Sequence, residues 1–77
     1  MKEILETIIA NLVDSKEQVQ INEKQEGQGI VFEVKVAESD MGKIIGKQGK
    51  MAKSIRTVMK AVASRDRQKV TVEFLDN

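Results

Sequence analysis

The spacing of apolar residues divides the chain into six short elements. Over residues 2–14 the apolar side chains recur at helical intervals, which predicts an amphipathic helix. Apolar and polar residues alternate over 17–24, 30–37 and 68–74, as in half-buried strands. The turn-forming sequence Glu26-Gly27-Gln28-Gly29 separates the first two of these runs, so they are predicted to form a hairpin.

Each predicted strand has one apolar face. The residues on these faces are Val19, Ile21, Ile30, Phe32, Val34, Val36, Val70, Val72 and Phe74. The run 30–37 is the most apolar, so we expect it at the centre of the sheet. Its connection to the last strand passes through two helices, which permits parallel pairing by a right-handed crossover.

Two helices are predicted between the second and third strands. Ser39-Asp40 offers an N-cap for a short helix over roughly 40–45. A longer helix is predicted from about Lys50 to Ser64. Its apolar stripe consists of Met51, Ala52, Ile55, Val58, Met59, Val62 and Ala63. The order α-β-β-α-α-β predicts one α+β domain over residues 1–77, with a three-stranded mixed sheet covered on one face by three helices.

The composition narrows the possible chemistry. The 77 residues include no cysteine and no histidine, which excludes disulfides, thiolate or imidazole metal sites and catalysis by either side chain. No apolar run approaches the ~20 residues of a membrane span. The first residues carry Glu3 and Glu6 and no cleavage-site pattern, so we expect a cytoplasmic protein without a signal peptide. No cofactor is expected.

The net charge of +1 hides a strong asymmetry along the chain. Residues 1–40 contain four basic and nine acidic side chains, whereas residues 41–72 contain nine basic side chains and a single acid, Asp66. Such clustered positive charge attracts polyanions. The basic cluster surrounds the sequence Gly46-Lys47-Gln48-Gly49, which follows the apolar pair Ile44-Ile45.

Glycines suit a loop that binds phosphate. A glycine allows the backbone to approach a ligand closely, and free N–H groups at a helix N-terminus favour an anion. The alternative is a plain helix–turn–helix connection with glycine at a C-cap position. A P-loop is disfavoured, because the glycines at 42 and 46 are separated by three residues instead of four. Gln48 also stands where a P-loop has the Ser or Thr that binds magnesium, so we do not expect an enzyme.

Residues 42–56, GKIIGKQGKMAKSIR, resemble the signature of KH-domain RNA-binding proteins, in which a GxxG loop between two helices clamps a single strand. The element order is similar to that of the type II, or prokaryotic, KH fold. The segment IIGKQGKMAKSIRTVMKA, the length and the opening MKEILETIIANLVD resemble the small bacterial single-KH RNA-binding proteins of the KhpA type.

The resemblance implies a set of RNA-binding residues: Lys43, Ile44, Ile45, Gly46, Lys47, Gln48, Gly49, Lys50, Lys53 and Arg56. In this interpretation the glycines give close backbone approach, and Lys47 and Gln48 project towards the sugar-phosphate chain. The bases lie in an adjacent apolar groove, and one of Ile44 and Ile45 belongs to the core. Many KH loops carry a second glycine or basic residue where this chain has Gln48, which is a mild departure.

For the more distant basic residues a solvated surface is the favoured interpretation. These residues are Lys60, Arg65, Arg67 and Lys69. Phe32 and Phe74 lie on inward strand faces, so no aromatic platform for base stacking is predicted, which favours weak sequence preference.

The resemblance also implies partners. Besides single-stranded RNA, they are a second copy of the chain and a larger KH-containing protein of the KhpB (Jag/EloR) type. The implied role is that of a post-transcriptional regulator or RNA chaperone linked to cell elongation and cell shape. The alternative is a protein–protein assembly module with a KH fold. The candidate dimer residues are Ala52, Ile55, Met59, Val62 and Ala63, unless they line the monomer's own core.

Overall fold

A computed structural model describes residues 1–75, with the exception of the side chain of Lys47. The elements, in chain order, are helix α1 over Lys2–Leu12, strand β1 over Gln20–Glu26, strand β2 over Gly29–Lys35, helical segment α2 over Glu38–Arg65 and strand β3 over Lys69–Phe74.

The three strands form one mixed sheet in the order β1-β2-β3. β1 pairs with β2 in antiparallel orientation, and β2 pairs with β3 in parallel orientation. Phe32, at the middle of β2, is opposite Glu23 on one side and Val72 on the other. The predictions of a mixed sheet with the second strand at its centre are therefore confirmed.

The β1–β2 hairpin closes through a two-residue turn. Glu26 pairs with Gly29, which leaves Gly27 and Gln28 as the turn residues. Gly27 has a φ of 60°. A positive φ at the first central position is typical of a type II′ turn, and glycine adopts it without a Cβ clash.

Segment α2 consists of two helical arms. Gln48 and Gly49 have φ values of 65° and 68°. Two consecutive residues with left-handed backbone angles cannot continue a right-handed helix, so they separate a first arm (38–47) from a second arm (50–65). With α1, the described chain thus has three helices in the predicted order α-β-β-α-α-β.

The core lies between the sheet and the helices. Phe32 and Val34 of β2 are fully buried, as are Leu5 and Ile9 of α1. The other buried members of this cluster are Val13, Ile30, Val36, Met41, Ile44, Ala52, Ile55, Met59, Ala63, Val70 and Val72. The alternation read in β2 and β3 is confirmed, because the residues predicted to point inward are buried or packed against this cluster.

Two predicted boundaries are wrong. The sequence predicts the first strand over 17–24, but residues Lys16–Gln18 form a single 3₁₀ turn and β1 begins at Gln20. The turn is closed by the N–H of Gln18, which donates to Ser15 O at 3.1 Å, and by that of Val19. The first helix ends at Leu12 instead of residue 14.

The helix after β2 also begins earlier than expected. Its first residue is Glu38, and Ala37 occupies the N-cap without a side-chain hydrogen bond. The predicted cap at Ser39-Asp40 is therefore wrong. The reason is that the buried carboxylate of Asp40 accepts the backbone N–H groups of Asp14 and Ser15 instead.

The second arm ends in a Schellman motif. The N–H of Arg67 donates to Ser64 O at 3.1 Å, and that of Gln68 donates to Ala63 O at 3.0 Å. Arg67 has a φ of 56°, the left-handed conformation that this motif usually gives to glycine.

Candidate nucleic-acid interface

The position of Arg56 fixes where the glycine loop lies. Its Nε donates to Val72 O at 3.0 Å, and its guanidinium lies 5.6 Å from the centre of the Phe74 ring. Arg56 lies in the first half of the second arm and contacts the end of β3, whereas the last residue of the arm, Arg65, is only four positions from the first residue of β3, Lys69. The arm therefore runs antiparallel to the strand. The loop at residues 46–49 therefore lies beyond the C-terminal end of β3.

The bend in this loop occurs at its last two residues. Gln48 and Gly49 have the positive φ values, and the side chain of Gln48 is exposed. Gly46 has no left-handed angle, and a Cβ added there would meet no atom within 4 Å outside its own turn. Gly49 thus serves the turn itself, whereas Gly46 leaves the backbone surface open.

A groove beside the loop has a volume of about 290 Å³. It is lined by Lys43, Gly46, Lys50, Met51 and Ser54. The half-buried side chain of Met51 gives the groove an apolar surface, and two lysines border it. This groove combines an apolar surface with positive charge next to an exposed loop.

The two isoleucines before the loop have different environments. Ile44 is fully buried in the core, whereas the side chain of Ile45 is 45% exposed. The prediction that one of the pair belongs to the core is confirmed.

Lys43 is held by two carboxylates. Its Nζ donates to Asp14 Oδ2 and lies 3.5 Å from Asp40 Oδ1. The hydrogen bond to Asp14, together with the charges of both carboxylates, raises the pKa of Lys43 above its usual value. Much of the positive charge that the sequence assigned to RNA at this position is therefore compensated within the protein.

Asp40 connects the first arm to the end of α1. Its side chain is only 1% exposed, and its two oxygens accept the backbone N–H groups of Asp14 at 3.0 Å and Ser15 at 3.1 Å. These hydrogen bonds, from Asp14 first and Ser15 second, lower the pKa of Asp40, and the charge of Lys43 lowers it further. This role of Asp40 is not visible in the sequence, because Ser39-Asp40 has the local pattern of an N-cap.

The remaining basic candidates differ in whether other protein groups bind their side chains. Lys50 and Lys53 are exposed and, within residues 1–75, form no ion pair with another side chain. Arg56 is fixed against β3 through Val72 and Phe74. The side chain of Lys47 lies outside the part of the chain that the structure describes.

Residues 1–75 contain neither a metal-binding cluster nor a membrane-spanning helix. No three Asp, Glu, His or Cys side chains in this part of the chain converge to hold a metal ion. No helix in the same residues combines the length and apolar character needed to cross a membrane.

The elements follow the order α-β-β-α-α-β, the three strands form one mixed sheet, and a glycine loop joins the second and third helices. These features define a type II KH domain. The family model described as KhpA/KhpB, KH domain matches residues 2–74, which is nearly the whole chain. The chain belongs to this family.

Curated relatives cover the chain almost completely. The "RNA-binding protein KhpA" of Clostridium acetobutylicum is 52% identical over 75 residues, which are 97% of this chain and 100% of the relative. That of Chlamydia trachomatis is 49% identical over 76 residues, 99% of this chain and 97% of the relative. That of Borreliella burgdorferi is 38% identical over 74 residues, 96% and 90% of the two chains. These names describe binding and not catalysis, in agreement with the expectation that the chain is not an enzyme. No solved structure matches the chain.

Proposed function

We propose that the protein binds single-stranded RNA through the loop at residues 46–49. The observation that carries this proposal is the left-handed break at Gln48 and Gly49. The break exposes a loop at the start of the second arm, beside the free lysines Lys50 and Lys53. The relatives named as RNA-binding proteins support RNA binding itself.

The loop at residues 46–49 clamps the RNA strand chiefly through the N-terminus of the second arm. The first N–H groups of the second arm lack intrahelical acceptors, and the helix dipole favours a phosphate there. The uncovered backbone at Gly46 allows the strand to approach, and Lys47 and Gln48 contact the sugar-phosphate chain. Lys50 and Lys53 add charge, and bases enter the groove bordered by Met51. Lys43 and Arg56 act mainly by shaping the site, because protein groups already bind them.

The proposal includes a homodimer whose surface differs from the one expected. Four of the candidate residues, Ala52, Ile55, Met59 and Ala63, are at most 4% exposed and belong to the monomer core. Val58 is 45% exposed instead, and it shares a helical face with the half-buried Val62, one turn further along the second arm. Packing two such faces would join two RNA loops in one particle, which gives avidity to individually weak sites.

The physiological part of the proposal rests on the family resemblance. We propose that the protein acts in the cytoplasm as a post-transcriptional regulator or RNA chaperone. It pairs there with a larger KH protein of the KhpB type and contributes to cell elongation and cell shape. The second candidate function is an assembly module without RNA binding of its own, which the exposed Val58 favours.

The loop is tested by the double substitution Lys47→Asp/Gln48→Asp. Aspartate tolerates the left-handed angle at position 48, so the fold is expected to persist. Two carboxylates facing the phosphates should abolish binding of a fluorescent single-stranded RNA in an anisotropy titration. The matched control is Lys16→Asp/Gln18→Asp, which makes the same change of charge in the exposed 3₁₀ turn.

Two results would count against the proposal. If the loop variant is folded and binds RNA as well as the wild type does, the site is elsewhere. If crosslinking in cells recovers no RNA above background while the protein still assembles with itself or a partner, the assembly module is the better description.

A further inference from the structure

Arg67 has a left-handed backbone conformation, which is unfavourable for residues that carry a Cβ atom. Its φ of 56° lies in the left-handed region, and its place in the Schellman motif is one that glycine fills more favourably. Strained positions of this kind persist where the side chain has a use. The exposed guanidinium of Arg67 is therefore a candidate for a function that the fold does not explain.

A groove of about 360 Å³ lies next to Arg67. Lys69, the first residue of β3, lines it as well, together with Gly29, Ile30 and Thr71. Two cations border a recess with apolar surface, which is the same combination as beside the glycine loop. We call Arg67 and Lys69 the far cluster, because the second arm separates them from the loop by about 22 Å of helix.

A smaller groove adjoins the far cluster along β3. It has a volume of about 190 Å³ and lies between Arg56 and Lys60 of the second arm and Val70–Val72 of β3. Thr71 lines both this groove and the one at the far cluster, so the two are neighbours along the strand. Positive side chains thus accompany β3 from the end near the loop to its beginning.

We infer that the far cluster is a second phosphate contact, which binds nucleotides of the same RNA strand beyond those held by the glycine loop. This inference rests on the proposed function. It extends the footprint past the approximately four nucleotides of a KH clamp. The cations act as point charges on the sugar-phosphate chain, so the contact adds affinity for longer strands without adding sequence preference.

One carboxylate opposes this contact. Glu26, at the hairpin turn, lines the same groove as Arg67 and Lys69. The far cluster retains a net positive charge in its presence. The substitution Glu26→Gln should consequently raise the affinity for the long strand, whereas substitution of Arg67 or Lys69 should lower it.

The experiment compares two lengths of polyuridine at several salt concentrations: ~5 nucleotides, enough for the clamp, and ~12 nucleotides. For Arg67→Gly/Lys69→Gln we expect unchanged binding of the short strand. For the long strand the slope of log affinity against log salt should become shallower by about 1.4, as expected when two phosphate contacts are lost.

The single substitution Arg67→Gly should weaken long-strand binding while raising the melting temperature, so unfolding is not the cause. Lys2→Gln/Lys16→Gln makes the same change of charge at residues that line neither the groove at the far cluster nor the groove beside the loop, and it should leave both lengths unaffected.

The inference is overturned if the far-cluster variant binds the long strand with the wild-type affinity and slope. It is also overturned if both lengths weaken equally, because that is a general effect of net charge. In both cases the loop variant Lys47→Asp/Gln48→Asp still reports on the proposed function by losing the short strand. If the wild type binds neither length, the proposed function and this inference both fail.

Discussion

The buried carboxylate of Asp40 accepts the backbone N–H of Asp14 at 3.0 Å, across 26 positions of sequence. Its second oxygen accepts the N–H of Ser15. These bonds join the chain that leaves α1 to the first turn of the arm that carries the glycine loop. Asp40 thus satisfies two backbone donors outside any helix or strand and ties the first arm to the segment after α1.

We predict that Asp40 makes the fold sensitive to acid. Its pKa in the folded protein lies below the ordinary value of 3.8, because the backbone N–H groups of Asp14 and Ser15 bind the charged form. The resulting stability is fully present above the unfolded-state pKa and is lost as the pH falls through the lower, folded-state pKa. Urea midpoints measured from about pH 7 to pH 2 should therefore decrease steeply at the acid end.

The substitution Asp40→Asn should remove most of this dependence and lower the melting temperature at neutral pH by ~5 °C or more. An asparagine amide can accept from only one of the two N–H groups and turns its own donor towards the other. The control is Asp66→Asn, an exposed carboxylate. If the two variants have the same pH profile, Asp40 is not the responsible group.

A second prediction concerns Asp14, which competes with RNA for Lys43. The Asp14 side chain is 82% exposed and binds the ammonium of a lysine that lines the groove beside the loop. Asp14→Asn should release part of this charge and strengthen binding of single-stranded RNA by about twofold at low salt. Glu17→Gln makes the same change of charge in the nearby 3₁₀ turn. An equal gain in RNA affinity in both variants would show that the effect comes from the net charge and not from Lys43.

The local pattern of the sequence was sufficient for most of the fold. Alternation in β2 and β3 identifies the inward residues, because a strand between a helical layer and solvent has a period of two. The glycines identify the break between the two arms, and the left-handed angles fall on Gln48 and Gly49. The boundaries before β1 were missed, because a single 3₁₀ turn leaves no periodic signal.

The site was less predictable, because its electrostatics depend on contacts between distant segments. Lys43 is a free cation in the sequence but pairs with Asp14 and Asp40 in the fold. Arg56 similarly hydrogen-bonds a strand carbonyl 16 positions away. Neither partner could be identified from spacing along one helix. The sequence indicates which charges are available near the loop, and the fold determines which of them remain free for RNA.

A third prediction concerns the strained helix end. Arg67→Gly should stabilise the protein by ~0.5–1 kcal/mol, because glycine adopts the left-handed angle without a Cβ clash. For a domain of this size the melting temperature should rise by ~4 °C. Arg65→Gly is the matched control: it places glycine at the last helical residue and should destabilise the protein by up to ~1 kcal/mol. A decrease in stability for Arg67→Gly would mean that the arginine side chain contributes contacts that outweigh the strain.

A fourth prediction concerns the dimer. Val58→Lys should give a folded monomer, because the side chain is 45% exposed in the single chain and a charge there would be buried only between two copies. Its effect on monomer stability should stay within ~0.5 kcal/mol. Ile55→Lys, at a position that is 3% exposed, should instead unfold the protein. Sedimentation equilibrium and circular dichroism at tens of micromolar distinguish these outcomes, and a monomeric wild type at that concentration would defeat the homodimer proposal.

The last prediction concerns the salt dependence of the clamp. A strand bound only at the loop has its phosphates neutralised by the second arm's N-terminus and by the free lysines Lys50 and Lys53. With about three phosphates neutralised, affinity for a short single strand should decrease ~20-fold between 50 and 200 mM salt. Duplex RNA of the same length should bind more weakly, because its paired bases cannot enter the groove beside Met51. A flat salt response, or equal affinity for duplex and single strand, would contradict an electrostatic clamp on an unpaired strand. Lys50→Gln/Lys53→Gln should make the salt dependence shallower, whereas Lys43→Gln should change it less, because Lys43 is already paired with Asp14 and Asp40.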